Sequence, residues 1–105
     1  MLTLFHSPQS RSSAIMALIE EMGIQDWIEI REVTIPRIDG SGARDAANPH
    51  PEGKVPALLH DGHLITERAA IILHLTSLFP DTGMAPKVGT PDWGVFAAWM
   101  AWYQG

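Results

Sequence analysis

Cysteine is absent from all 105 residues. A disulfide framework, a zinc–thiolate site and a Cys-x-x-Cys redox centre are therefore excluded. Basic side chains are scarce, 7 against 12 acidic ones, for a net charge of -5. Binding to a phosphate backbone needs clustered Lys and Arg, so nucleic acid is not the expected partner. No apolar run approaches the roughly 18 residues of a membrane span, and no basic–apolar–small leader opens the chain. The expectation is a soluble cytoplasmic protein with no membrane partner. Histidine is not scarce, at five. Yet no two of them stand at i, i+4 on a helix beside a carboxylate, so no metal is expected.

What is present is patterned. Leu2 to Phe5 suits a short buried strand, and His6-Ser7-Pro8-Gln9-Ser10 breaks it. A helix is predicted from Ser12 or Ser13, with Ile15, Leu18, Ile19 and Met22 on one face and Gly23 at its end. Trp27 to Val33 reads as a second strand, and strand–helix–strand implies a parallel pair. Between Pro36 and His50 the chain is small and polar, with one short helix expected near Ala43 to Ala47.

The stretch Gly53 to Leu75, GKVPALLHDGHLITERAAIILHL, organises the rest. Asp61-Gly62 is a hairpin signal between two short strands, because both central residues of that turn take φ > 0. Thr66 is the expected cap of a helix carrying Ala70, Ile71, Leu73, Leu75 and Leu78. Glu67-Arg68 falls on its first turn, where free N–H groups and the helix dipole favour an anion. The Val55-Pro56 bond stands where a strand begins, a place that admits a cis peptide.

Taken together, GKVPAL…DG…LITERAAI resembles the glutathione-binding core of the glutathione transferase family, with bacterial serine-type members the nearest in pattern. The resemblance implies a thioredoxin-like β-α-β-α-β-β-α domain over residues 1–79, a linker over 80–91, and at 92–105 the first helix of an all-α second domain cut short. It also implies that Val55, before a cis Pro56, pairs its backbone with the cysteinyl unit of glutathione. Glu67 and its neighbour Arg68 hold the γ-glutamyl end, and Lys54 reaches the glycyl carboxylate. The family carries Ser or Thr at the place of Arg68, so a hydroxyl contact is missing here while the backbone N–H remains. Ser10, in Pro8-Gln9-Ser10, matches the serine that faces the glutathione sulfur, with Ser12 the alternative; read from the residues alone, these serines cap the first helix. Gln9, Arg11 and Arg37 are further candidates to line the cleft.

The segment from Trp93 to Tyr103 carries no charge and six large apolar or aromatic side chains. A helix apolar all round needs cover on most sides. The function implied is a glutathione transferase, or its first domain, which holds glutathione as a thiolate co-substrate and delivers it to an apolar electrophile, acting as a homodimer. The alternative is a non-catalytic binding or dimerisation module of the same fold.

Overall fold

A computed structural model describes residues 1–104. Four strands form one mixed sheet in the order β2-β1-β3-β4: β1 (Leu2–His6), β2 (Ile28–Glu32), β3 (Ala57–His60) and β4 (His63–Thr66). β1 and β2 run parallel with Leu2 opposite Ile28, and both remaining pairs are antiparallel. Between β1 and β2 lies α1 (Ser13–Met22); α2 (Arg68–Leu78) and α3 (Pro91–Gln104) follow the hairpin. This is the thioredoxin-like order, and no helix among the described residues is long and apolar enough to cross a membrane.

The two faces of the sheet are covered differently because side chains alternate along a strand. Leu2, Leu4, Ile28 and Leu58 point to one face and pack with Ile15, Ile19 and Met22 of α1 and Ile71 and Leu75 of α2. Leu4, Ile15, Leu58, Ile71 and Leu75 are fully buried, each contributing about 1.5–3 kcal/mol. Phe5, Val33, Val55 and Ala57 form a smaller cluster on the opposite face. There the cover is not a helix but the long connection between β2 and β3, which is the wall of the cleft described below.

Local signals behave as the residue types require. Gly23 ends α1 at φ 70°, its N–H returning to Glu20 and Ile19 carbonyls. Asp61 and Gly62 take φ 48° and 83° in the tight turn. Thr90 caps α3, accepting from the Trp93 N–H at 3.2 Å.

Three expectations are corrected. No helix forms at residues 43–47: Asp45 spends its carboxylate on the N–H groups of Thr34 (3.2 Å) and Ala47 (2.9 Å), which fixes a turn instead. Thr66 is the last residue of β4, and the position before α2 is Glu67, with no side-chain cap of its own. No serine side chain caps α1 either; the hydroxyl of Ser12 turns back toward β1. β2 lies at the sheet edge, and Ile30 on it is 37% exposed. In α3 no residue is buried, and Val95, Trp99, Trp102 and Tyr103 are exposed.

Candidate functional site

Two cavities meet along the loop before β3. The larger, about 830 Å³, is lined by Ser10, Arg11, residues Ile35 to Asp39, and Glu52 to Val55. The smaller, about 120 Å³, is lined by Arg11, His50, Glu52, Lys54, Val55, Pro56, Glu67, Arg68 and Gln104. Arg11, Glu52, Lys54 and Val55 belong to both, so the two are one cleft with a wide apolar part and a narrow polar part.

The Val55-Pro56 bond is cis, and both residues are buried. The preceding loop is fixed by its own polar groups. Buried Asn48 donates to the Lys54 carbonyl at 2.9 Å and accepts from the His50 N–H at 3.1 Å, while His50 Nδ1 accepts from the Glu52 N–H at 3.0 Å. Lys54 itself is exposed and lies 3.6 Å from Glu52.

At the narrow end Glu67 adopts φ 74°, ψ 122°. For a residue with a Cβ this is strained backbone, at a cost of about 1–3 kcal/mol, and such residues gather at ligand clamps. Its carboxylate accepts from Gln104 Nε2 at 2.7 Å, and Gln104 Oε1 accepts from the Ala69 N–H at 2.9 Å. Gln104 thus caps α2 from another helix, satisfying one of the donors that every helix start leaves free. The guanidinium of Arg68 lies over the Tyr103 ring, 4.4 Å from its centroid, and Arg68 Nε is buried without a hydrogen-bond partner among the described residues.

At the other end the serines after β1 form a closed network. Ser12 is fully buried; its Oγ accepts from the Ser7 N–H at 3.1 Å, and contacts His6 Nδ1 at 2.7 Å and Ser10 Oγ at 2.7 Å. Ser10 is only partly buried, lines the wide cavity and donates to the Ser7 carbonyl at 2.5 Å. Arg37 braces this loop from the opposite wall, donating to the Gln9 carbonyl (3.0 Å), the Pro8 carbonyl (2.7 Å) and Ser7 Oγ (3.2 Å). Burial lowers the pKa of His6 below 6.5, an effect partly offset by the charge of Glu32.

The fold therefore brings Lys54, Val55, Pro56, Glu67 and Arg68 around one small cavity and sets Ser10 on the adjoining one, while Ser12 stands behind Ser10. Three participants were missed from sequence: His6, His50 and Gln104. Only His6 left a local trace, a histidine ending a strand six residues before a serine at a helix start. Among the described residues no group of three or more His, Cys, Asp or Glu is placed to hold a metal ion.

A mixed four-stranded sheet, a cis-proline opposite a helix N-terminus and a serine loop after the first strand define a thioredoxin-like domain of the glutathione-transferase kind. Residues 4–83 match the family model for the glutathione S-transferase N-terminal domain, and the chain belongs to that family. The chain is similar over 98% of its length to a sphingomonad glutathione S-transferase solved in complex with glutathione, at 30% identity and a TM-score of 0.79. A glutathione transferase from Methylococcus capsulatus str. Bath superposes over 97% of the chain, at 32% identity and a TM-score of 0.75. Glutathione S-transferase 3 of Schizosaccharomyces pombe is 27% identical over 95% of the chain. The chain spans 51% and 50% of the two solved relatives and 40% of the third.

Proposed function

We propose that this chain forms the glutathione-binding part of a glutathione transferase, with residues 1–79 as the thioredoxin-like domain, 80–91 as a linker and 92–105 opening a helical second domain. Glutathione lies along the cleft. The backbone of Val55 pairs with its cysteinyl unit in the manner of an added strand. The Glu67 carboxylate accepts from the γ-glutamyl ammonium, the free N–H groups at the start of α2 receive the α-carboxylate, and Lys54 meets the glycyl carboxylate. The side chain of Arg68 stays on Tyr103 and contributes only its backbone N–H. Ser10 donates to the sulfur and favours the thiolate. The wide part of the cleft, walled by Ile35, Pro36 and Ile38, receives an apolar electrophile whose carbon the thiolate attacks. A homodimer provides cover for the exposed aromatic residues of α3, since large exposed apolar patches mark interfaces.

The observation that carries this reading is the shared small cavity, which sets a carboxylate at strained backbone beside the cis Val55-Pro56 turn in a chain of this family. Calorimetry with glutathione tests it. A hydrogen bond to a charged group contributes about 1.5–3 kcal/mol, so Glu67→Ala should weaken binding roughly ten- to hundredfold. Arg68→Ser should alter it by less than about threefold, a difference under roughly 0.7 kcal/mol. Undiminished binding by Glu67→Ala would place the ligand elsewhere.

A further inference from the structure

We propose that His6 is a positioning residue for the sulfur-side serine: His6 Nδ1–H donates to Ser12, Ser12 donates to Ser10, and the Ser10 proton is thereby left for the ligand sulfur. The inference rests on the reading of Ser10 given above.

The argument is a count of protons. A serine hydroxyl has one proton and two acceptor positions, and a neutral imidazole has one N–H. The Ser7 N–H can only donate, so it occupies one acceptor position of Ser12 Oγ at 3.1 Å. The Ser7 carbonyl can only accept, and it takes the Ser10 proton at 2.5 Å. The 2.7 Å contact between Ser10 and Ser12 must then use the proton of Ser12. Once Ser12 has given that proton, its 2.7 Å contact with His6 Nδ1 must use a proton on the imidazole. The Ser12 N–H also donates to Ser10 Oγ, at 3.3 Å. Ser10 thus has both acceptor positions filled from the protein side and one proton to direct, either to the Ser7 carbonyl or to a sulfur in the cleft.

The opposite tautomer reverses the chain. A bare Nδ1 would take the proton of Ser12, Ser12 would draw on Ser10, and Ser10 would have nothing to offer the ligand. The remaining outlet for Ser12, the Ser7 carbonyl at 3.2 Å, is longer than either 2.7 Å contact. Ser12 is fully buried and has no path to a ligand, so it can act only through Ser10. The charged group bearing on the ring is Glu32, the partner of His6 on β2. The first turn of α1 carries no acidic residue, and Arg37 engages the loop through Ser7 Oγ and the Pro8 and Gln9 carbonyls. No proton crosses the relay during binding; the thiol proton leaves to water, and the hydroxyl chain only sets which way Ser10 points.

Two measurements on the full chain test this. Nitrogen-15 shifts of the His6 ring in the free protein read the tautomer directly: a proton on Nδ1 is expected, and a bare Nδ1 would overturn the proposal whatever the ligand does. The thiolate absorbance of bound glutathione against pH gives the second. His6→Asn places an amide N–H near the position of Nδ1 and should keep the midpoint within about 0.3 units of the parent. His6→Phe and the polar His6→Gln, which lack a donor at that position, should raise it by about one unit, as Ser10→Ala should. His6→Phe combined with Ser10→Ala should add nothing beyond Ser10→Ala alone. Midpoints unmoved by both His6→Phe and His6→Gln, or moved equally by His6→Asn, overturn the relay. If Ser10→Ala leaves the midpoint unmoved while the ring carries its proton on Nδ1, the reading of Ser10 fails and the hydroxyl chain stands as a structural device.

Discussion

Four hydrogen bonds among Ser7, Ser10 and Ser12 close one end of the cleft within six residues of chain, whereas the other end joins Glu67 and Ala69 to Gln104 across 37 and 35 residues. The serine end is closed around the buried Ser7 and Ser12, and it belongs to a single strand-to-helix turn. The α2 end is exposed at Glu67 and depends on α3, a helix with no buried residue. Removing one partner from a saturated buried network leaves its neighbours without water or replacement. A contact between exposed groups exchanges more readily with solvent. The first kind of end governs stability; the second is open to adjustment by a ligand.

The largest consequence concerns Ser12. Ser12→Ala removes the acceptor of the Ser7 N–H and the partner of His6 Nδ1, and should lower stability by about 1–3 kcal/mol in urea unfolding. Gln104→Ala takes away two bonds, one of them at the exposed Glu67 carboxylate, and should cost less than Ser12→Ala, about 1 kcal/mol. Equal losses from the two variants would break the comparison, because the α2 end would then be as much a part of the folded core as the serine end.

Gln104→Ala should instead speak through ligand affinity. The Gln104 carboxamide offers an acceptor to the Ala69 N–H and a donor to the Glu67 carboxylate. An α-amino-acid head presents the same pair, a carboxylate that accepts and an ammonium that donates. On the proposed reading glutathione must take Glu67 from Gln104. With net values of about 0.5–1.5 kcal/mol per bond, Gln104→Ala should tighten glutathione binding roughly three- to tenfold in calorimetry. Weaker binding would show that Gln104 holds Glu67 in place for the ligand and does not compete with it.

The same contrast explains what the sequence made legible. Gly23, the Asp61-Gly62 turn, the Val55-Pro56 bond and the serine loop are local features, and each declares itself through the φ or hydrogen-bonding capacity of its own residues. The succession of strands and helices along the chain and the position of Glu67 at the start of α2 were readable for the same reason. The short helix expected at 43–47 failed because Asp45 found Thr34, 11 residues away. The cap expected at Thr66 failed because the carboxamide filling that role comes from Gln104 in another helix. Nothing beside Arg68 in sequence indicates that its guanidinium lies on Tyr103, a contact that only the packing of α3 creates. Likewise, nothing near Arg37 in sequence indicates that it braces the Pro8 and Gln9 carbonyls.

Acid should act at the serine end of the cleft and, away from the cleft, where β3 packs on α2, with the smallest effect of the three. His60 Nδ1 and His74 Nε2 lie 2.9 Å apart and tie the end of β3 to α2. That contact needs a lone pair on one ring, so protonating both imidazoles breaks it. Burial, then the charge of His60, lowers the pKa of His74 below its ordinary 6.5, and burial does the same for His6 at the serine end. The sign follows from linkage. Between the depressed folded value and 6.5 the unfolded chain binds more protons than the native one, so stability falls as pH drops through that window and levels off below it. Asp61, held below 3.8 chiefly by its hydrogen bond to the terminal ammonium, loses its contribution only at lower pH and does not enter. Urea midpoints measured between about pH 7.5 and about pH 5 should therefore decline for the parent, since ordinary histidines titrate near 6.5. His74→Leu should remove part of that decline and His6→Asn another part. A parent midpoint that is flat or rises toward acid would contradict the placement of both rings. A decline abolished by His74→Leu alone would assign the acid response to the contact between β3 and α2, and leave the serine end of the cleft indifferent to pH.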